Sequence, residues 1–162
     1  MSVDPIAFRK ALGCFATGVT IITTRDAESR PVGITANSFT SLSLDPPLVL
    51  FCLDRKSASF AAFHKNRHFA VNILRDTQQE LSRTFARSVA DKWNGIAFDT
   101  WDTGCPILPD SLATLECDVD EIIEGGDHVI LIGKVRRMQM DDGECAPLVY
   151  YRGKYAGVQA GS

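Results

Sequence analysis

The sequence of 162 residues lacks any hydrophobic run long enough to cross a bilayer. Its longest apolar runs, residues 48–53 and 129–132, are far shorter than the roughly 20 residues that a spanning helix needs. It also lacks an excess of positive charge, because 17 basic residues stand against 20 acidic ones and the formal net charge is −3. No global positive field is available to attract a phosphate backbone. We therefore expect a protein that binds neither a membrane nor nucleic acid.

The five cysteines, at positions 14, 52, 105, 117 and 145, include no C-x-x-C pair. This spacing excludes a zinc ribbon and a thioredoxin-type redox pair, and the odd number argues against a disulfide framework. His64 and His68 have the spacing of metal ligands on a helix, but Lys65 and Arg67 would repel a cation and Asn66 indicates a helix end. We predict no metal site and a reducing, cytoplasmic environment.

Common catalytic motifs are absent as well. The sequence has no G-x-G-x-x-G, no G-x-S-x-G and no H-E-x-x-H, so a Rossmann dinucleotide domain, an α/β-hydrolase and a zincin lose their main support. The chemistry has to come from another arrangement.

The hydrophobic fraction of 45% and the charged fraction of 23% are typical of a globular protein with one core. No linker or repeat divides the chain, so we predict a single domain over residues 1–162. Short runs rich in β-branched and aromatic residues predict strands; they lie at 19–24, 32–36, 48–53, 69–74, 115–119, 128–135 and 148–151. In the run 115–119 we expect Glu116 and Asp118 on a solvent-exposed face.

Helices are predicted at three capping signals. Asp4 followed by Pro5 begins the first, Ser57 or Ser59 the second, and Asp76 a third that continues to about Arg87. Many short strands with few helices indicate a mainly β protein, an antiparallel barrel with peripheral helices.

Two polar clusters and one histidine are candidate site residues. Hydroxyl and amide side chains in 35–41 follow a strand, and residues 55–59 combine two cations with serines at a helix start. Such a helix start suits a phosphate, although ordinary capping also explains its serines. His128 follows two glycines and an aspartate directly before an apolar strand, where either a structural or a functional role is possible.

Six segments in series resemble the short-chain flavin reductases, the reductase components of two-component flavin-dependent monooxygenases. They are FATGVTIITT at 15–24, PVGITANSF at 31–39, SLDPPLV at 43–49, FAVNIL at 69–74, GGDH at 125–128 and PLVYYRG at 147–153. The resemblance implies an FMN-binding split β-barrel that forms a homodimer. It also implies NAD(P)H:flavin oxidoreductase activity, with FMN or FAD as flavin and NADH or NADPH as hydride donor, and a separate monooxygenase that receives the reduced flavin.

The resemblance further implies which positions bind each nucleotide. The flavin positions are Val32, Gly33, Ile34, Thr35, Ala36, Asn37, Ser38, Phe39, Leu53, Asp54, Arg55, Ser59, Phe60, Phe85 and Ala86. Those beside the nicotinamide nucleotide are His128, Tyr150, Tyr151, Arg152 and Gly153, with His128 as the candidate catalytic residue. Within this set, the start of the second helix at Ser59 is expected to hold the flavin phosphate.

Two other functions stay open at this point. One is a flavin-retaining electron-transfer protein that passes electrons to a protein partner. The other is a non-catalytic split-barrel protein that only binds flavin.

Overall fold

The protein, described by a computed structural model over residues 3–89 and 91–158, is built mainly from antiparallel strands. The strands are β1 (Thr17–Gly18), β2 (Thr20–Arg25), β3 (Pro31–Ala36), β4 (Thr40–Leu44), β5 (Pro47–Asp54), β6 (His68–Ile73), β7 (Asp99–Thr100), β8 (Pro106–Ile107), β9 (Ala113–Gly125), β10 (His128–Met140), β11 (Val149–Tyr151) and β12 (Lys154–Ala156). The helices are α1 (Pro5–Leu12), α2 (Phe60–Lys65) and α3 (Gln79–Ala86). None of the three exceeds eight residues, and no helix in the described ranges is long and apolar enough to span a membrane.

Seven strands form one antiparallel sheet in the order β3-β2-β6-β9-β10-β5-β4. Its inward side chains meet in a single apolar cluster, so the sheet curls around that cluster as a barrel with β3 and β4 at its two edges. The buried members are Ile22, Val49, Phe51, Leu53, Phe63, Phe69, Val71, Cys117, Val129 and Leu131. The prediction of a mainly β antiparallel barrel with peripheral helices is confirmed.

The hairpin of β9 and β10 positions one end of this barrel. Gly126 in its turn has a φ of +65°, in the left-handed region that glycine adopts without strain. After this turn, His128 begins β10 directly opposite Asp54, the last residue of β5. Two segments that are far apart in sequence thus end side by side.

The segment around β7 and β8 covers the outer face of the barrel, and this overturns one prediction. Glu116 is fully buried, and its Oε1 accepts hydrogen bonds from the backbone N–H (2.8 Å) and the hydroxyl (2.6 Å) of Thr103. The expectation of a solvent-exposed face at Glu116 was wrong, because alternation along a strand shows that two faces differ but not that the second one is left uncovered.

The predicted start of α1 is confirmed and that of α3 needs correction. Asp4 Oδ2 accepts a hydrogen bond from the backbone N–H of Ala7 at 2.9 Å, with Pro5 in the first turn. Asp76 does not cap α3; it lies in a 3-10 turn that precedes the helix. There the side chain of Gln78 accepts a hydrogen bond from the Arg75 backbone N–H at 3.1 Å.

One strand, β4, was not predicted from the sequence. Its first two residues belong to the polar cluster at 35–41, and it pairs with β5 at the edge of the barrel. The predicted last strand does form, but β11 pairs with β1 and β12 in a separate three-stranded sheet.

Candidate functional site

A cleft of about 300 Å³ opens where the ends of β3 and β5 meet the end of α3 and the start of β10. Ten of the predicted positions line it, although they come from four separate segments of the chain. They are Ile34, Thr35, Ala36, Asn37, Ser38, Leu53, Asp54, Phe85, Ala86 and His128. Ser57, from the predicted polar cluster at 55–59, lines it too. Four further lining residues were not predicted from the sequence: Cys52, Arg87, Ser88 and Lys92.

Two hydroxyl side chains hold the floor of this cleft in place. The Ser38 hydroxyl accepts a hydrogen bond from the Cys52 N–H (2.9 Å) and donates one to the Cys52 carbonyl (3.2 Å). The Thr35 hydroxyl donates to the Ser82 carbonyl on α3 at 2.6 Å. The residues after β3 are thereby tied to β5, and β3 itself is tied to α3.

His128 stands at the mouth of the cleft with 43% of its side chain exposed. Its Nδ1 lies 2.7 Å from Asp127 Oδ1, and this hydrogen bond lowers the pKa of the Asp127 carboxyl. The Asp127 carbonyl also accepts a hydrogen bond from the Arg55 N–H at 3.1 Å. The imidazole is therefore oriented by its neighbour while its other edge remains accessible.

The turn before α2 brings Ser57, and not Ser59, to the cleft. The Asp54 carboxylate accepts a hydrogen bond from the Lys56 N–H at 2.8 Å, and the Ser57 hydroxyl accepts one from the Ser59 N–H at 3.2 Å. Ser59 is the residue before α2 but makes no capping hydrogen bond with its own side chain. It lines a larger groove beside the cleft.

Lys92 lies in the wall shared by the cleft and that groove. Its ammonium group donates hydrogen bonds to the carbonyls of Phe85 (3.0 Å) and Gly33 (3.3 Å), and burial lowers its pKa. None of the ion pairs within residues 3–89 and 91–158 includes it. No periodic pattern marks a lysine in an irregular segment, so only the folded arrangement reveals this group.

Gly33 is needed where it stands because β3 and α3 approach each other closely. A Cβ at this position would lie 2.7 Å from a ring carbon of Phe85 and 3.1 Å from the Trp93 indole. Phe85 is itself buried and packs edge to face on Trp93, with 4.7 Å between ring centroids.

The remaining predicted flavin positions lie beside the cleft. Val32, Gly33 and Ser59 line the adjacent groove. Phe39 and Phe60 pack against the barrel core. The side chain of Arg55 forms an ion pair with Glu124 across the strand ends.

The four predicted nicotinamide positions in 150–153 do not line the cleft of this chain. They lie on β11 and in the turn that follows it, where the Arg152 N–H donates to the Gly13 carbonyl at 2.8 Å. The Tyr150 ring packs edge to face on Tyr155, with 5.5 Å between ring centroids. Both rings pack against a second buried apolar cluster, which includes Ile21 and Leu148. Their assignment to the nicotinamide nucleotide stays a prediction.

The two histidines considered as metal ligands are engaged elsewhere. His64 stacks on Phe60 at the end of α2, and His68 Nδ1 lies 2.8 Å from Asp118 Oδ1 on the neighbouring strand. They therefore belong to different elements and do not share a helical face.

A comparison of the whole chain with known families agrees with this arrangement. Residues 12–159 match the model of the flavin reductase like domain. The chain belongs to this family.

Named relatives include the reductase subunits of an N-demethylase and of a flavin-dependent monooxygenase. The stachydrine N-demethylase reductase subunit Stc3 of Rhizobium meliloti is 45% identical over 82% of this chain and 57% of its own length. The flavin-dependent monooxygenase reductase subunit HsaB of Rhodococcus jostii is 43% identical over 98% of this chain and 80% of its own. Another Rhizobium meliloti relative, 47% identical, is longer, and the chain spans only 48% of it.

A solved structure shares both the fold and much of the length. The NADH:FAD oxidoreductase SgcE6 of Streptomyces globisporus, in complex with NAD and FAD fragments, has a TM-score of 0.88 and 32% identity. The match covers 96% of this chain and 95% of that one.

Proposed function

We propose that the protein is an NAD(P)H:flavin oxidoreductase that reduces FMN or FAD and supplies the reduced flavin to a separate monooxygenase. The observation that carries this proposal is the convergence of four sequence segments, one of them at His128, on one cleft. The relative named as the reductase subunit of a flavin-dependent monooxygenase supports the partner, and the NADH:FAD oxidoreductase structure supports the two nucleotides.

The cleft has the size and chemistry to take a flavin ring. Its volume lies at the low end of the roughly 300–1,000 Å³ range of small-molecule sites. Apolar side chains such as Ile34 and Phe85 stand among short polar ones such as Asn37 and Ser57. This mixture suits a flat heterocycle that has polar groups along one edge.

A bound flavin supplies the hydride acceptor and a reduced nicotinamide the hydride, so the transfer needs no acid or base from the protein. The work left to this chain is to hold the two rings at contact distance and to stabilise the negative charge produced by reduction. The hydrogen bonds of Thr35 and Ser38 keep the cleft in one shape. The Lys92 ammonium provides positive charge in its wall.

His128 is proposed to orient the nicotinamide and not to carry an obligatory proton. Asp127 holds its ring at the cleft mouth. Residues 150–153 are proposed to contact the rest of the nicotinamide nucleotide.

The homodimer is part of the proposal. Ile6, Phe8 and Leu12 on α1 are 66%, 53% and 57% exposed, and no residue of this helix is buried. An amphipathic helix whose apolar face is uncovered favours association with a second surface. Sedimentation is expected to give twice the 17.7 kDa mass of the chain, and a fully active monomer would contradict the dimer.

We also propose that the enzyme is a single domain and that it works in the cytoplasm. All five cysteines are free thiols, as a reducing compartment maintains them.

The deciding experiment is oxidation of NADH and NADPH with FMN, FAD and riboflavin in turn, followed by gel filtration of the flavin-loaded protein. Turnover with flavin that exchanges into the buffer supports the reductase. Retained flavin without NAD(P)H oxidation would indicate an electron carrier, and the absence of any flavin affinity would exclude both.

A further inference from the structure

A hydrogen bond outside the cleft proposed for the flavin connects α3 with the three-stranded sheet. The hydroxyl of Tyr155 on β12 lies 2.8 Å from the Ser82 hydroxyl on α3, although the two residues are 73 positions apart in the sequence. Ser82 is fully buried, and among the described residues Tyr155 is the only partner of its hydroxyl. This bond therefore fixes β12 against the buried face of α3.

Ser82 is also tied to the flavin cleft, but through its backbone. Its carbonyl accepts a hydrogen bond from the Thr35 hydroxyl at 2.6 Å, and Thr35 lines the cleft. One helical turn after Ser82, Phe85 and Ala86 line the cleft as well. Ser82 thus joins Tyr155 through its side chain and the wall of the cleft through its main chain.

On its other side, Tyr155 contacts the strand that is proposed to bind the nicotinamide nucleotide. It lies directly opposite Tyr150 in the antiparallel pair of β12 and β11. The two rings pack edge to face, and both pack against the apolar cluster that contains Phe85. The guanidinium of Arg83 lies over the Tyr155 ring, 5.4 Å from its centroid. Packing therefore holds this ring in place independently of its hydroxyl.

We infer that Tyr155 is a positioning residue for hydride transfer, and that it sets the place of β11 relative to the flavin cleft through Ser82. The inference rests on the proposed function, which puts a flavin in the cleft and a nicotinamide nucleotide at residues 150–153. In that reaction the C4–H bond of NAD(P)H breaks and an N5–H bond of the flavin forms, so two electrons pass from nicotinamide to flavin. A displacement of about 1 Å between reacting groups can cost about a hundredfold in rate. A hydrogen bond between the elements that carry the two sites restricts such displacements.

The test compares Tyr155→Phe, Ser82→Ala and the double variant Tyr155→Phe/Ser82→Ala. All three keep an aromatic ring at position 155 and the carbonyl at position 82 to which Thr35 donates. The matched control is Thr84→Val, which removes a hydroxyl from the same helix. The Thr84 hydroxyl donates to the Glu80 carbonyl of α3 at 3.0 Å, and Thr84 does not line the cleft.

Stopped-flow absorbance measures the rate constant of flavin reduction at saturating NADH or NADPH, whichever the unaltered protein oxidises. We expect the three variants to lower this rate constant by a similar factor, about three- to thirtyfold. The deuterium isotope effect on kcat should increase, because a loosened geometry slows the hydride step itself. The Kd of the flavin should change by less than about twofold, since Thr35 keeps its partner. Thr84→Val should match the unaltered protein in all three measurements.

Thermal unfolding of the flavin-free variants separates positioning from stability. Tyr155→Phe leaves the buried Ser82 hydroxyl without its partner, so the Tm should fall. The double variant removes that hydroxyl as well, and its Tm should recover part of the loss. Its reduction rate should nevertheless stay low, because the connection between β12 and α3 is still missing.

A rate that recovers together with the Tm in the double variant would show that the bond acts through stability alone, and would overturn the inference. Unchanged rate constants, losses equal to those of Thr84→Val, or a flavin Kd that rises as much as the rate falls would overturn it too. With an active unaltered protein, these results refute the inference and leave the proposed function standing. An unaltered protein that reduces no flavin with either nicotinamide nucleotide would refute the proposed function and the inference with it.

Discussion

The close approach at Gly33 gives a prediction about both stability and flavin binding. In Gly33→Ala the new methyl carbon would lie 2.7 and 2.8 Å from two ring carbons of Phe85. The Phe85 ring is 1% exposed and cannot swing into solvent. It packs on Trp93, which in turn packs on Phe98 with 5.1 Å between ring centroids, so a shift of one ring displaces the others.

Overpacking of this kind costs about 1–3 kcal/mol, because side chains and backbone must move apart. For a protein of this size, that loss lowers the Tm by about 2–12 °C. Phe85 also lines the flavin cleft, so we expect weaker flavin binding at a temperature where the variant is still folded.

Thermal unfolding followed by circular dichroism, together with flavin fluorescence titration, measures both effects. Gly18→Ala is the matched control, because a Cβ there meets no heavy atom within 4 Å. It should change the stability by less than about 0.5 kcal/mol.

A double-mutant cycle with Phe85→Leu tests the cause. If the overlap with Phe85 is responsible, Gly33→Ala/Phe85→Leu should be less destabilised than the sum of the two single variants, by at least about 0.5 kcal/mol. Additive losses, or a Gly33→Ala protein as stable as Gly18→Ala, would refute the reasoning.

Three further predictions address the site and the thiols. In His128→Ala we expect the rate or the NADH affinity to fall several-fold, equivalent to on the order of 1 kcal/mol, with an unchanged flavin Kd. Weak flavin binding with normal NADH oxidation at saturating flavin would instead place His128 in the flavin pocket. If the Ser57 hydroxyl holds the flavin phosphate, Ser57→Ala should weaken FMN binding about tenfold or more, and by more than Ser59→Ala does. In a fluorescence titration, an equal effect on riboflavin, which has no phosphate, would locate the phosphate elsewhere. Iodoacetamide at pH 8 should label exposed Cys14 but not Cys117, whose pKa burial raises to about 12; a peptide mass spectrum showing alkylated Cys117 in the native protein would contradict this.

Local patterns in the sequence determined most of the barrel. β-branched runs gave the inner strands, since such residues pack well on a pleated surface, and Asp4 with Pro5 marked the start of α1 because a side-chain cap needs only its own first turn. Ten of the site positions implied by the family resemblance do meet at one cleft.

Contacts between distant segments were decided only by the tertiary structure. Glu116 is buried because the preceding segment around β7 and β8 folds over it, which no alternation within β9 can show. Lys92 lines both the cleft and the larger groove beside it, and it donates hydrogen bonds to the carbonyls of Gly33 and Phe85. Ser57 lines the cleft and Ser59 does not, because of the path of the turn that follows β5. These three features depend on packing between elements. Secondary-structure propensity acts over a few neighbouring residues, whereas the burial and the charge of a side chain depend on the distant segments that pack beside it.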